Sequence, residues 1–329
     1  MHFGLLSRRI TALLASVSAV VLTTVVLAQS QTAPAVTRPV IAEQVSPVER
    51  ISPVARDGYA GTAFVRRPPG KGPFPAVVII HPGLTAWSTD ALRGLANGTQ
   101  ASRFLAAGYV VAATTYRSRD ADPQTTVSLQ DSLATVDHVR KLPFVDARSL
   151  VIWGCSGGGD LALEVAAATN VAAIAPEEPA SILLTGIFNK DFPKQGAVHT
   201  PADSAPIFED PKGYYTPQYQ KLTREKLGRI KAPILLLQGD PDRPDLRINL
   251  FNALVLVPEL RALGKTLEVK SYTGQPHCFA FGGNVPARAA VALQAWQDAD
   301  AFYRRHMPTK PTPIDPKLVT NAPIVAKTP

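Results

Sequence analysis

Short apolar runs and amphipathic stretches alternate through the middle of the chain. Residues 76–80 (AVVII) are apolar without a break, as in a strand covered on both faces. Helical spacing follows over 100–107 and stops at Gly108, and 109–115 (YVVAATT) reads as the next strand. Residues 125–141 set Leu129, Leu133, Val136 and Val139 on one helical stripe. Further strands are expected at 150–153 (LVIW), 171–175 (VAAIA), 234–237 (ILLL) and 267–272, the last with the polar–apolar alternation of a sheet edge. Helices are expected at 161–168, 248–263 and 287–305. This alternation predicts an α/β domain, a mostly parallel central sheet with helices on both faces. One long interruption, 177–231, is rich in Pro, Asp and Lys with only weak helical patches. Roughly fifty residues of that kind inside a domain indicate a functional loop or cap insertion.

The two ends differ from the middle. Arg8 and Arg9 precede an uncharged apolar stretch, 10–27, and Val26-Leu27-Ala28 closes it with small or β-branched residues. Residues 1–28 therefore read as a signal peptide, and the protein as periplasmic or secreted. Two other readings of the segment stay open: an uncleaved anchor, since it is about long enough to cross the hydrocarbon core, and a twin-arginine export signal, in which Thr11 departs from the usual pattern. No cysteine precedes Cys155, which excludes a lipoprotein anchor. Residues 29–56 look like a linker or arm, 57–306 like the folded domain, and 307–329 like an extended Pro-rich tail.

Composition narrows the partners. With 329 residues and 46% apolar content the chain can bury a sizeable core. The formal charge of +8 is scattered, without basic runs interleaved with aromatics, which excludes a nucleic-acid interface. It falls to about +6 once Arg8 and Arg9 are removed with the signal. After signal cleavage no stable membrane insertion is expected. The sequence has no metal-ligand spacing and no nucleotide-binding glycine motif, so no cofactor is expected.

Candidate chemistry centres on Gly154-Cys155-Ser156-Gly157-Gly158, a G-x-S-x-G pattern between an expected strand and an expected helix. A sharp strand–turn–helix strains the serine backbone and exposes its hydroxyl, and the helix N-terminus behind it favours developing negative charge. Such a serine needs a base and an acid, in the chain order Ser, acid, His. His277, in the loop after the last strand, fits the base better than His199 in the cap or His306 in the final helix. Asp242 in Gly239-Asp240-Pro241-Asp242 is the preferred acid, with Asp240 next. Glu177 and Glu178, which also follow a strand end, remain a third choice. The oxyanion hole should use the backbone N–H of Gly157 and one from His81-Pro82-Gly83-Leu84; Pro82 has none, which leaves Gly83 or Leu84. His81 reads as structural there, and Trp87 as either a pocket wall or a core residue. Cys155 precedes the nucleophile and Cys278 follows the base. If serine and histidine meet, the cysteines approach disulfide distance, and an exported chain would oxidise them; two buried free thiols are the alternative.

From about residue 59 to 307 the chain resembles the dienelactone-hydrolase-like branch of the α/β-hydrolase superfamily. The residues that carry the resemblance are Pro73-Phe74-Pro75 through His81, Gly154 to Gly158, Gly239 to Asp242, and Pro276-His277-Cys278-Phe279. Dienelactone hydrolases use cysteine as nucleophile, and this chain has Ser156, so their substrate does not carry over. The Cys-Ser and His-Cys pairs also resemble the tannase and feruloyl esterase family, in which such cysteines bridge the triad, although those enzymes have a larger lid domain. The resemblance implies an α/β-hydrolase fold and a serine esterase acting on a small-molecule or oligomeric ester of an aromatic or plant-derived acid. Two alternatives stand beside it. One is a serine peptidase of the prolyl-oligopeptidase type, which usually carries a large N-terminal propeller where this chain has about thirty linker-like residues before the domain. The other is a non-catalytic binding protein on the same fold.

Overall fold

Eight strands form one sheet: β1 (Glu49–Ile51), β2 (Ala63–Arg66), β3 (Phe74–Ile80), β4 (Val110–Thr114), β5 (Val145–Cys155), β6 (Ala173–Glu177), β7 (Ile234–Gln238) and β8 (Leu267–Ser271). This is a computed structural model, and it describes residues 47–118, 127–187, 204–240, 247–282 and 288–317. The strand order is β1-β2-β4-β3-β5-β6-β7-β8. The six strands from β4 to β8 run parallel, and β1 and β2 add an antiparallel edge. β8 is the opposite edge, as its alternation predicted. The fold is that of an α/β-hydrolase.

The helices are α1 (Thr89–Ala96), α2 (Thr99–Ala106), α3 (Val127–Arg140), α4 (Gly157–Ala168), α5 (Ser181–Leu184), α6 (Ala205–Glu209), α7 (Pro211–Tyr214), α8 (Pro217–Gly228), α9 (Arg247–Phe251), α10 (Val257–Ala262) and α11 (Ala289–His306). A π-helical segment, Asn252–Leu256, joins α9 to α10. Successive side chains of a strand face opposite ways, so each apolar run feeds two cores. Val77, Ile79, Val151 and Trp153 pack with α1, α2 and α11. Ala76, Val78, Ile80, Leu150 and Ile152 pack on the other face with α3, α4 and α10. Both faces are covered, which is why AVVII and LVIW contain no polar residue.

The cap contains more helix than its composition suggested. α6, α7 and α8 each carry proline at their first or second position, where the missing N–H costs nothing and the fixed φ favours the helix. With α5 and α9 they enclose a third apolar cluster built on Ile182, Leu183, Ile207, Phe251 and Val255, which half-buried Leu84 joins. No helix among the described residues is long and apolar enough to cross a membrane. The signal expected at 1–28 lies outside the described residues.

Both flanks of the domain differ from expectation. β1 lies within the segment read as a linker and pairs with β2, Arg50 opposite Phe64. The start of the Pro-rich tail is docked: Thr309 N–H donates to Ser149 Oγ at 2.9 Å, Thr312 N–H to the Ala107 carbonyl at 2.9 Å, and Ile314 N–H to Asp300 at 3.2 Å. Ile314 is 4% exposed and belongs to the α11 core. Ile314→Ala should therefore destabilise the protein by about 2–4 kcal/mol, read from urea unfolding, whereas a mobile tail would give no change.

Candidate active site

Ser156 sits between β5 and α4 with φ 53° and ψ −118°, the strained turn its motif predicted. The turn is tight enough to demand glycine. A Cβ on Gly154 would stand 2.1 Å from the Gly158 carbonyl oxygen, and one on Gly157 would stand 2.2 Å from the Gly83 oxygen. The end of β6 braces the turn, since Ser156 N–H donates to the Glu177 carbonyl at 3.0 Å and the Ser156 carbonyl accepts from Ala180 N–H at 2.9 Å.

Cys155 and Cys278 form a disulfide with Cα atoms 5.8 Å apart, 123 positions apart in sequence. Closing a loop of that length is worth about 5 kcal/mol by chain entropy. Its local effect is to hold Ser156 and His277, the neighbours of the two half-cystines, together at the C-terminal ends of the parallel strands.

The carboxylate at the imidazole is Glu178. Its Oε2 lies 2.9 Å from His277 Nδ1 and accepts the Cys278 N–H at 2.5 Å. Its Oε1 accepts the Gly239 N–H at 2.7 Å and Asn249 Nδ2 at 2.9 Å. A carboxylate only accepts, so Nδ1 carries the proton and Nε2 is left with its lone pair. The side chain of His277 is 38% exposed, while that of Glu178 is fully buried. Asp242, the acid preferred from sequence, lies outside the described residues, and the position it was expected to fill at Nδ1 is held by Glu178. Asp240 ends the β7 turn and is half-buried. Gly239, just after β7, meets Glu178 through its N–H, and α9 does so through Asn249, a residue the sequence did not single out. His199 lies outside the described residues, and His306 packs on Phe302 in α11 at 4.7 Å between ring centroids.

Strain is concentrated here. Ser156, Glu178 (φ 44°) and Cys278 (φ 53°) are the non-glycine residues with positive φ among those described. Three such residues in one site are held because the disulfide and hydrogen bonds over-determine them.

Glu177 faces the other way. It is fully buried and accepts from Ala280 N–H at 2.7 Å and from Trp153 Nε1 at 3.2 Å. Burial, and next the negative charge of Glu178, push its carboxyl up to about 8. Consecutive glutamates thus hold one loop from two sides, one through His277 and Cys278, the other through Ala280. Cys155, Glu178, His277 and Cys278 place ligand-type atoms within 4.8 Å of one another. Their sulfurs are joined and Nδ1 is engaged, so the cluster is a constraint rather than a ligand set.

The loop after β3 completes the site. His81 is fully buried between Trp87 and Tyr116, with ring centroids 4.7 and 4.4 Å away. Its Nδ1 lies 2.7 Å from the Pro82 carbonyl and its Nε2 2.9 Å from Thr115 Oγ1. The carbonyl only accepts, so Nδ1 is protonated and Thr115 donates to Nε2. Burial lowers the imidazole to about 4, and it stays neutral. Half-buried Trp87 also meets Phe281 edge-on at 6.0 Å, and its N–H donates to Thr115 Oγ1 at 2.9 Å. The Gly83 carbonyl faces Gly157, and Leu84 joins the cap cluster.

A sequence model described as the prolyl oligopeptidase family matches residues 101–303. No curated protein matches the sequence. Among solved structures, esterase Est22 shares 16% identity over 80% of this chain and 81% of its own, with a TM-score of 0.58. Carboxyl esterase 2 from the mycorrhizal fungus Tuber melanosporum shares 18% over 84% and 93%, at 0.56. The hyperthermophilic esterase from the archaeon Pyrobaculum calidifontis shares 20% over 80% and 87%, at 0.51. At these identities the likeness is one of fold.

The raised carboxyl of Glu177 has a consequence for stability. Its folded value lies above the ordinary 4.5, so the neutral form stabilises the fold. That contribution is complete in acid and is lost as pH rises through about 8. The unfolding midpoint should fall between about pH 5 and 9, and Glu177→Gln should flatten that fall.

Proposed function

The chain belongs to the prolyl oligopeptidase family, a family of serine hydrolases, and we propose that this hydrolytic enzyme cleaves carboxylic esters through Ser156, His277 and Glu178. The observation that carries the reading is the imidazole of His277, fixed by a buried carboxylate and tied through the disulfide to the strained serine turn. His277 Nε2 removes the Ser156 proton as the hydroxyl attacks the ester carbonyl. Glu178 holds the imidazole tautomer and stabilises the imidazolium that forms. The N–H groups of Gly157 and of Gly83 or Leu84 receive the oxyanion. His277 then protonates the leaving alcohol, and water, activated by the same imidazole, releases the acid from the acyl-enzyme.

Ester rather than peptide specificity is supported by the fold neighbours, which are esterases by name. Esters of aromatic or plant-derived acids are supported by the Cys-Ser and His-Cys pairs. Export is supported by the pattern of residues 1–28 and by the disulfide, which suits an oxidising compartment. The family match favours one alternative, a peptidase.

Reaction with a fluorophosphonate, mapped by mass spectrometry, should place the adduct on Ser156. The protein should hydrolyse aryl esters and leave prolyl anilides intact, and Ser156→Ala should lose about a thousandfold or more in rate. Anilide cleavage without ester cleavage would establish the peptidase. A folded chain that takes no label would contradict both.

A further inference from the structure

We infer that Tyr116 is a positioning residue for the oxyanion hole, acting through the carbonyl of Gly83; the inference rests on the oxyanion reading above. In a trans peptide the C=O and N–H of one plane point in opposite directions. A donor that captures the carbonyl therefore fixes the direction of the following residue's N–H. The two candidate donors of the loop belong to two successive planes, and each plane has its carbonyl captured. The N–H of Gly83 shares a plane with the Pro82 carbonyl, which His81 Nδ1 holds at 2.7 Å. The N–H of Leu84 shares a plane with the Gly83 carbonyl, to which the Tyr116 hydroxyl donates at 2.5 Å. The cis peptide found among the described residues is Gly72–Pro73, so both of these planes are trans.

Sterics at the Gly83 Cα do not supply the same restraint. Gly83 has φ +95°, and a Cβ placed on it would meet nothing within 4 Å. A glycine with open space around it turns easily, so the orientation of the Gly83–Leu84 plane depends on what binds its carbonyl. Tyr116 is suited to that task. Its ring is 1% exposed and stacked on His81, so the hydroxyl is delivered by the end of β4 rather than by a mobile chain. The hydroxyl also lies 3.3 Å from the His81 carbonyl, at the root of the loop. The place where a Cβ of Gly157 would stand is 2.2 Å from the Gly83 oxygen and 3.3 Å from the Tyr116 hydroxyl. Tyr116 thus stands where the two halves of the oxyanion hole meet.

Tyr116→Phe keeps the stacked ring and removes the hydroxyl. In the purified full chain we would measure the rate of Ser156 capture by a fluorophosphonate, the affinity for an aryl boronic acid, and kcat and KM on an aryl ester. Capture and kcat should fall about 10- to 100-fold, below the 10²–10³ cost of deleting an oxyanion donor outright. Boronate affinity should weaken in proportion, with KM changed less than about threefold. Tyr109→Phe, which removes a buried hydroxyl bonded to Asp300 away from the site, should lower the thermal midpoint and leave capture unchanged. Gly83→Ala disturbs the same peptide from its other side with the Tyr116 hydroxyl in place, and should also slow capture. Capture of Tyr116→Phe or Gly83→Ala at the wild-type rate would overturn the inference alone. A wild-type chain that is not captured at all would overturn the ester-hydrolase reading with it.

Discussion

Two consecutive glutamates at the end of β6 hold the site together. The carbonyl of Glu177 receives the N–H of Ser156, and its carboxyl receives the N–H of Ala280. The carboxylate of Glu178 receives His277, Cys278, Gly239 and Asn249. The turn at Ser156, the loop of His277 and Cys278, the β7 turn and α9 therefore all converge on one dipeptide. The disulfide repeats part of this constraint covalently, joining the residue before the serine to the residue after the histidine. This redundancy is what permits three strained backbones in one site.

The two carboxyls divide the work by environment. Glu178 is surrounded by donors, three of them neutral N–H groups, and the fourth donor is the imidazole itself. Glu177, one residue earlier on the opposite side of the strand, is buried beside that charge and is pushed toward its neutral form. One carboxyl therefore holds the histidine, while the other holds the loop at Ala280.

The central sheet was legible in the sequence because burial on both faces leaves continuous apolar runs; β3, β5 and β7 contain the stretches expected at 76–80, 150–153 and 234–237. β1 and β2 escaped notice because they are short and lie at an edge of the sheet. The cap helices escaped because Pro206, Pro211 and Pro217 read as breakers, whereas each occupies a first turn where proline is favoured. The same error hid the docked start of the tail, where Ile314 anchors a proline-rich stretch. The serine turn and the cysteine pairing were legible from local spacing. The carboxylate at the imidazole was legible only as a third choice: Asp242, Asp240 and Glu178 all follow strand ends, and Glu178 meets His277 from a left-handed backbone, φ 44°, which no residue pattern announces.

The proposed chemistry turns on the acid at His277. The direct measurement is kcat/KM on an aryl ester for Glu178→Gln set beside Asp242→Asn and Asp240→Asn, each with its thermal midpoint. With Glu178 as the orienting carboxylate, Glu178→Gln should lose about 10³–10⁴-fold, the scale seen when a triad acid is made an amide, and each aspartate variant should stay within about tenfold of wild type. A loss of that size in Asp242→Asn, with Glu178→Gln retaining activity, would contradict it.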